Sequence, residues 1–314
     1  MVGLHFSIII PIFNNEEYVT SLIKRCSEMA TDLVHSSEFI FVVDGSPDKS
    51  MEKLKELLPV APFDSKLIIL SRNFGSFSAI RTGFSYAKGK FLFFMAADQQ
   101  EPSSFIIEAA KLLQSAGTDI VIGKRKDRSD GFFNDLASNI FWNLYRLIIP
   151  NVPKGGVDIF ACTSQVKDSL LELEESNTSL IGQLYWIGFK KTDLEYSRAP
   201  REFGKSGWTF SKKMKYLRDS FFNFTDYPLK LLLSIGTLGC GISIVLGLVV
   251  VYLRVMDKLV VPGYAAIMIT IMFFGSLNLA AMGILSEYLH RTFENTKRRS
   301  QSIVREILTF VDRK

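Results

Sequence analysis

Through its first two thirds, the chain sets short, unbroken apolar runs between amphipathic stretches. Phe6–Ile12, Phe39–Val43, Lys66–Leu70, Phe91–Met95 and Ile120–Ile122 read as strands. Glu16–Val34, Gly75–Ala87 and Ser103–Ser115, the last preceded by Pro102, read as helices. Continuous runs this short, alternating with helices, predict a mostly parallel sheet covered on both faces. Ligands of such sheets bind outside the carboxyl ends of the strands. Past about Gly182 the pattern loosens, and Leu184–Phe189 and Thr192–Tyr196 are the remaining strand candidates.

The last third is different. Gly207–Phe224 mixes Trp208, Phe210, Phe221, Phe222 and Phe224 with Lys212, Lys213, Lys215 and Arg218, a composition suited to a helix lying in a membrane interface. Leu229–Leu253 carries one charge, Lys230 at its start, and Val260–Leu285 carries none. About 20 helical residues cross a hydrocarbon core of ~30 Å, so each segment is long enough to span. Arg254–Leu259 between them is too short to hold a domain, which predicts a two-helix hairpin. Lys and Arg crowd both outer flanks: Lys205, Lys212, Lys213, Lys215 and Arg218 before, and Arg291, Lys297, Arg298, Arg299 and Arg305 after. The positive-inside rule then predicts both termini on the cytoplasmic side of the inner membrane. The expected organisation is a catalytic domain over 1–206, an interfacial region over 207–226, the membrane hairpin over 227–290 and a basic tail over 291–314.

Composition agrees. The 314 residues are 47% hydrophobic, and the excess sits in these late segments. Cys26, Cys162 and Cys240 are odd in number and far apart, against a disulfide framework or a zinc site. His5, His35 and His290 are scattered. The net charge of +5 does not interleave with aromatics as in a nucleic-acid groove; it clusters by the apolar segments, as at an anionic membrane surface. The first 13 residues lack a basic leader and a small-residue cleavage site, so they read as a buried strand rather than a signal peptide.

Three expected strand ends carry polar clusters: Pro11-Ile12-Phe13-Asn14-Asn15-Glu16-Glu17, Asp44-Gly45-Ser46-Pro47-Asp48, and Asp98-Gln99-Gln100-Glu101-Pro102. A carboxylate at a buried strand end is costly unless it binds something. A nucleotide base, a ribose and a divalent cation on a diphosphate would each use these groups, and so would a plain turn. No G-x-G-x-x-G follows the first strand, and Gly83–Lys90 departs from a phosphate loop in spacing and in Phe91.

These motifs resemble a family 2 glycosyltransferase of the polyprenyl-phosphate branch, alongside bactoprenol glucosyltransferases and dolichol-phosphate mannose synthase. The resemblance runs over nearly the whole chain. It takes in Ile9-Ile10-Pro11 to Glu17, Asp44-Gly45-Ser46-Pro47-Asp48, Ser71-Arg72-Asn73-Phe74-Gly75 and Asp98-x-Gln100-x-Pro102. It continues through Gly123-Lys124-Arg125-x-x-Arg128 and Arg201-x-x-Gly204-Lys205-Ser206-x-Trp208 to Glu287-Tyr288-Leu289-x-Arg291. It implies a GT-A fold and inverting transfer of a hexose, with uridine diphosphate the commonest donor nucleotide, onto a polyprenyl (undecaprenyl) phosphate at the membrane. The product would feed a cell-surface polysaccharide or lipid. Relatives of this kind often self-associate, so a homo-oligomer is a further expectation.

Residue by residue, the resemblance implies a donor site of Pro11, Asn15, Glu16, Glu17, Asp44, Ser46, Asn73 and Gln100. Asp98 and Gln100 would hold Mg²⁺ or Mn²⁺, and Asp98, Asp158 and Arg201 would serve catalysis. Arg125, Arg128, Lys205 and Ser206 would take the acceptor phosphate. Two positions depart from the pattern: Val43 and Ala96 stand where aspartates are usual. They motivate a second reading, a nucleotide-sugar-binding membrane protein that does not catalyse transfer. Phe160 stands where many relatives have arginine, and Gln183-Leu184-Tyr185-Trp186 lacks the arginine of a processive synthase. Glu287 is expected to clamp Arg291 one helical turn on.

Overall fold

Ile8, Ile10 and Ile12 alternate with Ile9 along the first strand, so one buried strand feeds two cores. This is visible in a computed structural model of the chain, which describes residues 5–33, 36–115, 117–126, 145–146, 152, 157–175, 178–200, 203, 210–256 and 263–312. Strand β1 (Phe6–Ile12) turns its even-numbered isoleucines to the face covered by α1 (Val19–Asp32) and α4 (Ser103–Gln114). Ile9 faces α3 (Ser76–Tyr86) and α5 (Ser164–Glu172). Gly83 of α3 lets that helix approach closely, since a Cβ there would lie 2.4 Å from Ile9.

Eight strands form one mixed sheet. The others are β2 (Ser37–Val43), β3 (Asp64–Leu70), β4 (Phe91–Phe94), β5 (Ile120–Arg125), β6 (Phe160–Thr163), β7 (Lys191–Tyr196) and β8 (Val304–Phe310). Their order is β7-β5-β6-β4-β1-β2-β3-β8. The β4-β1-β2-β3 centre is parallel, as are β5 and β7, while β6 and β8 pair antiparallel with their neighbours. Helix α2 (Ser50–Leu57) follows β2.

Two elements differ from expectation. Leu184–Phe189 is the end of a helix, α6 (Leu180–Trp186), and the turn after it. A Ser179 cap accepting from Gly182 N starts that helix, and a short apolar run alone does not separate the two structures. Residues 304–310, expected within a basic tail, are instead an edge strand. Val304, Leu308 and Phe310 are partly buried against the cores, and Glu306 between them is half-buried, in alternation with exposed neighbours. The strand is tied further by Ser71 N to Ile303 O (2.9 Å), by Thr82 to Ser302 (2.6 Å between hydroxyls) and by Lys55 to Glu306 (2.8 Å).

The chain divides into two compact units, residues 1–220 with 299–314, and residues 221–298. In the first, the leading part of α7 (Phe210–Phe224) buries Tyr216 and Ser220. Their hydroxyls join those of Tyr145 and Ser179 in a buried cluster, with Tyr216 and Ser179 2.6 Å apart. That face of the helix packs on protein. The second unit holds α8 (Tyr227–Val255) and α9 (Tyr264–Thr296), both long and apolar enough to cross a membrane. Large apolar side chains such as Leu238, Leu248 and Leu279 stand exposed along them. Arg291 donates to Glu287 at 2.8 and 3.1 Å and to Asn223 at 3.2 Å, which is the expected clamp.

At the amino ends of the central strands a buried polar group fixes register. Glu38 accepts from Ser7 (2.7 Å), Lys66 (2.6 Å) and the Lys88 amide (2.7 Å). Gly89 N donates to Ser7 Oγ, and a Cβ on Gly89 would sit 2.7 Å from the β1 backbone. Removing one partner of a buried ion pair strands the other, at a cost of about 3–5 kcal/mol. Glu38→Ala is expected to lose that much stability in denaturant titration of the detergent-solubilised protein. A loss below about 1 kcal/mol would show that water, rather than Glu38, satisfies Lys66.

Candidate active site

The carboxyl ends of β1, β2 and β4 carry the three polar clusters side by side, as the sheet order requires. Most of their side chains bond the loops to one another. Asp48 accepts from Ser46 Oγ (2.6 Å), Ser50 Oγ (2.9 Å), Glu16 N (2.9 Å) and Ser50 N (3.2 Å). Burial pushes its carboxyl up, but these hydrogen bonds together hold it below the usual range. Ser46 Oγ also accepts from Asn14 N, and Asn15 N donates to Ser50 Oγ. The Asn15 side chain accepts from Phe13 N, and Glu16 accepts from Lys49 N and pairs with Lys53 at 3.3 Å. Glu17 and Asn73 are exposed, and Pro11 is half-buried in β1.

Asp44 lies almost fully buried and accepts one N–H on each oxygen, from Phe74 (2.7 Å) and Gly75 (2.8 Å). Burial raises its carboxyl above the usual range despite both bonds. Expected at the donor, Asp44 in this state fixes the loop before α3. Gly45 makes that possible: its φ is +58°, and a Cβ would meet the Arg72 carbonyl carbon and Asn73 N at 2.4 Å. Val43 belongs to the core.

The turn from Ala96 to Glu101 is held from both sides. Arg25 of α1 donates to Ser103 Oγ (3.0 Å), Gln99 O (3.0 Å) and Glu101 O. Gln100 accepts from Arg198 Nη2 at 2.6 Å and donates its amide to Ala199 O at 3.0 Å, while its carbonyl takes Ala199 N at 2.8 Å. Expected as a metal ligand, Gln100 therefore spends its side chain on the 198–199 strut. A second strut lies nearby: Tyr18 OH donates to Phe203 O (2.7 Å) and accepts from Phe203 N (2.6 Å). These two ties bring the chain on either side of Arg201 to the ends of β1 and β4. Arg128, Arg201, Lys205 and Ser206 themselves lie outside the described residues.

Asp158 and Arg125 form an ion pair through Arg125 Nε, and Tyr196 OH donates to Asp158 at 3.1 Å. Burial opposes the Arg125 charge, and Asp158 more than restores it. Burial and the Asp158 charge push Tyr196 up, so it remains a neutral donor.

Glu101 is the exception among the carboxylates. It is 1% exposed, and neither oxygen accepts a hydrogen bond among the described residues. The guanidinium of Arg198 stands 3.9 Å from Oε1 through its Nε, and Arg25, bonded to the Glu101 carbonyl, adds a second positive charge nearby. Burial, then the charge of Asp98, push its carboxyl up to about 7, with Arg198 pulling back. A carboxylate without hydrogen-bond donors beside half-buried Asp98 suits a hard cation, and Mg²⁺ on a diphosphate needs only one or two protein carboxylates. No group of three or more His, Cys, Asp or Glu is gathered for a metal among the described residues. Sequence reasoning passed over Glu101, Arg198, Arg25 and Tyr18. The visible signal for the first was a carboxylate in a strand-end cluster; the others appear only once the loops meet.

Comparison with known proteins sets this geometry in context. The family model for Glycosyl transferase family 2 matches residues 7–171. The uncharacterized glycosyltransferase YkcC of Bacillus subtilis (strain 168) is 28% identical, over 96% of this chain and 94% of its own length. A prophage bactoprenol glucosyl transferase homolog of Escherichia coli (strain K12) is 28% identical, over 97% of this chain and 99% of its own. S. aureus TarS 1-349 in complex with UDP-GlcNAc superposes with a TM-score of 0.48 at 18% identity, covering 70% of this chain and 67% of that one.

A carboxyl whose folded value is raised contributes stability that is full below its ordinary value and lost as pH rises through the folded one. For Glu101 that window runs from 4.5 to about 7. In EDTA, the wild type is expected to lose about 3 kcal/mol relative to Glu101→Gln across it. Parallel melting curves of the two proteins at every pH would contradict the burial of that charge.

Proposed function

The chain belongs to glycosyl transferase family 2 and carries a GT-A-like mixed sheet, and from that premise we propose that it transfers a hexose from a nucleotide diphosphate sugar to a polyprenyl phosphate at a membrane surface. The observation that carries this reading is the length of the E. coli relative's match. It covers 97% of the chain and so takes in the apolar helix pair along with the catalytic unit. A lipid acceptor gives those helices a purpose, since a membrane covers their exposed leucines.

The chemistry asks little of a base. A phosphate monoester has a second pKa near ~6 and is largely dianionic at neutral pH, so it attacks an anomeric carbon unaided. The protein's task is to hold two anions together and to stabilise the departing diphosphate. Loops locked by Asp44 and Asp48 would shape the donor pocket without reorganising. Asp98 would hold a divalent cation, which when bound neutralises the leaving diphosphate. An acceptor phosphate would share the Arg125 guanidinium with Asp158, whose ion pair keeps that fork in place. Arg128, Arg201, Lys205 and Ser206 would complete the cationic lining.

Topology in this reading has two supports, one for the side and one for an even number of crossings. The basic flanks favour the cytoplasmic side. In addition, β8 pairs with β3, so the chain returns after the helix pair to the unit it left. Two crossings satisfy that return, and one does not.

The test is transfer of radiolabel from a panel of nucleotide sugars to undecaprenyl phosphate, read in the organic phase. One donor is expected to label the lipid, and Asp98→Ala to cut the rate by on the order of 10²-fold or more. Nucleotide-sugar binding with no transfer from any donor would favour the non-catalytic reading that Val43 and Ala96 motivate.

A further inference from the structure

The proposed reaction needs a cation by the diphosphate, yet this chain has Ala96 where the metal motif usually has a carboxylate, and Gln100 is engaged by Arg198 and Ala199. One ligand-bearing residue, Asp98, would then be left. The same turn supplies another. Glu101 follows Asp98 by three residues, across Gln99 in a left-handed conformation (φ +56°). Its carboxylate is inside the protein, and neither oxygen accepts a hydrogen bond among the described residues. Asp48 and Asp44, by contrast, are filled with hydroxyl and amide donors. A carboxylate meant only to brace the fold is paired in that way, because a buried charge without donors is costly.

The neighbouring cation does not remove the anomaly. Arg198 Nε, 3.9 Å from Glu101, is beyond hydrogen-bonding distance and is itself buried without a hydrogen bond among the described residues. Arg198 gives its one strong bond to Gln100 instead. The guanidinium offsets the charge of the turn and leaves the Glu101 lone pairs unused.

We propose that Glu101 is the second metal-side carboxylate of this chain, taking the place of the one missing at Ala96, and that Arg198 is the cation standing by it when no metal is bound. The proposal rests on the transferase reading above for the need of a metal, and on this chain's own residues for where it binds. Oxygen ligands from two carboxylates suit Mg²⁺ or Mn²⁺. It follows that Ala96 need not signal lost activity.

The test is titration of the full-length protein in detergent with Mn²⁺ alone at pH 8, reading free Mn²⁺ by electron paramagnetic resonance. Glu101→Gln, which keeps shape and removes charge, is expected to weaken Mn²⁺ binding by at least roughly ten-fold, with the fold checked by circular dichroism. Arg198→Gln, which removes the competing cation, is expected to tighten it. Should Glu101→Gln fail to fold, the Arg198→Gln titration decides alone: tighter binding supports the proposal, and unchanged or weaker binding overturns it. Mn²⁺ affinity within two-fold of wild type in a folded Glu101→Gln protein also overturns it. A wild type that glycosylates lipid in EDTA and binds no Mn²⁺ sinks this inference and spares the transferase reading. A wild type that binds Mn²⁺ through Glu101 and transfers no sugar does the opposite.

Discussion

Negative charge buried at the ends of parallel strands must be answered from nearby, and the site is organised by how each carboxylate is answered. Asp48 is satisfied by two hydroxyls and two amides, Asp44 by two amides. Three of these bonds, from Glu16 N to Asp48 and from the Phe74 and Gly75 amides to Asp44, join loops 30 to 32 residues apart, so the same charges that threaten the fold hold the loops of the site together. Asp158 is answered by Arg125 and Tyr196. Glu101 differs: among the described residues no hydrogen bond reaches its carboxylate, and the Arg198 guanidinium stands out of bonding reach.

That division explains why the strand-end motifs mix scaffold with chemistry. Asp44, Ser46 and Glu16 stand at strand ends, and in this state their side chains tie one loop to another, while Asn15 bonds within its own loop. A strand-end aspartate that binds a ligand and one that caps a loop look the same in one dimension, because both need a polar side chain beside a glycine. The deciding facts, the positive φ of Gly45 and the approach of Phe74 and Gly75, depend on β2 and β3 being neighbours. The parallel centre was legible because runs such as Phe39–Val43 have no polar face to offer water. Strand β8 was not, since its alternating pattern lies in a basic stretch and its partner β3 is more than 200 residues earlier. Arg198 and Tyr18 were invisible for the same reason: each acts on a loop from another part of the chain.

The return of the chain to β3 also bears on how the two units are used. The helix pair is an insertion between β7 and β8, so the catalytic unit is complete only after the apolar helices have been made. Folding of that unit is thereby linked to placement of the helices, and β8 covers an edge that would otherwise invite pairing with another chain. In the proposed reaction this arrangement would serve a lipid acceptor, since the strand that closes the catalytic unit is made after the apolar helices.

The most direct test of the whole account is an experimental structure of the full-length protein with Mn²⁺ and a nucleoside diphosphate, the metal located by its anomalous signal. Asp44 is expected to remain bonded to the Phe74 and Gly75 amides, with the metal against the turn that carries Asp98 and Glu101. A metal elsewhere, or Asp44 swung away from its loop to hold the nucleotide, would contradict the division between scaffold and chemistry on which the account stands.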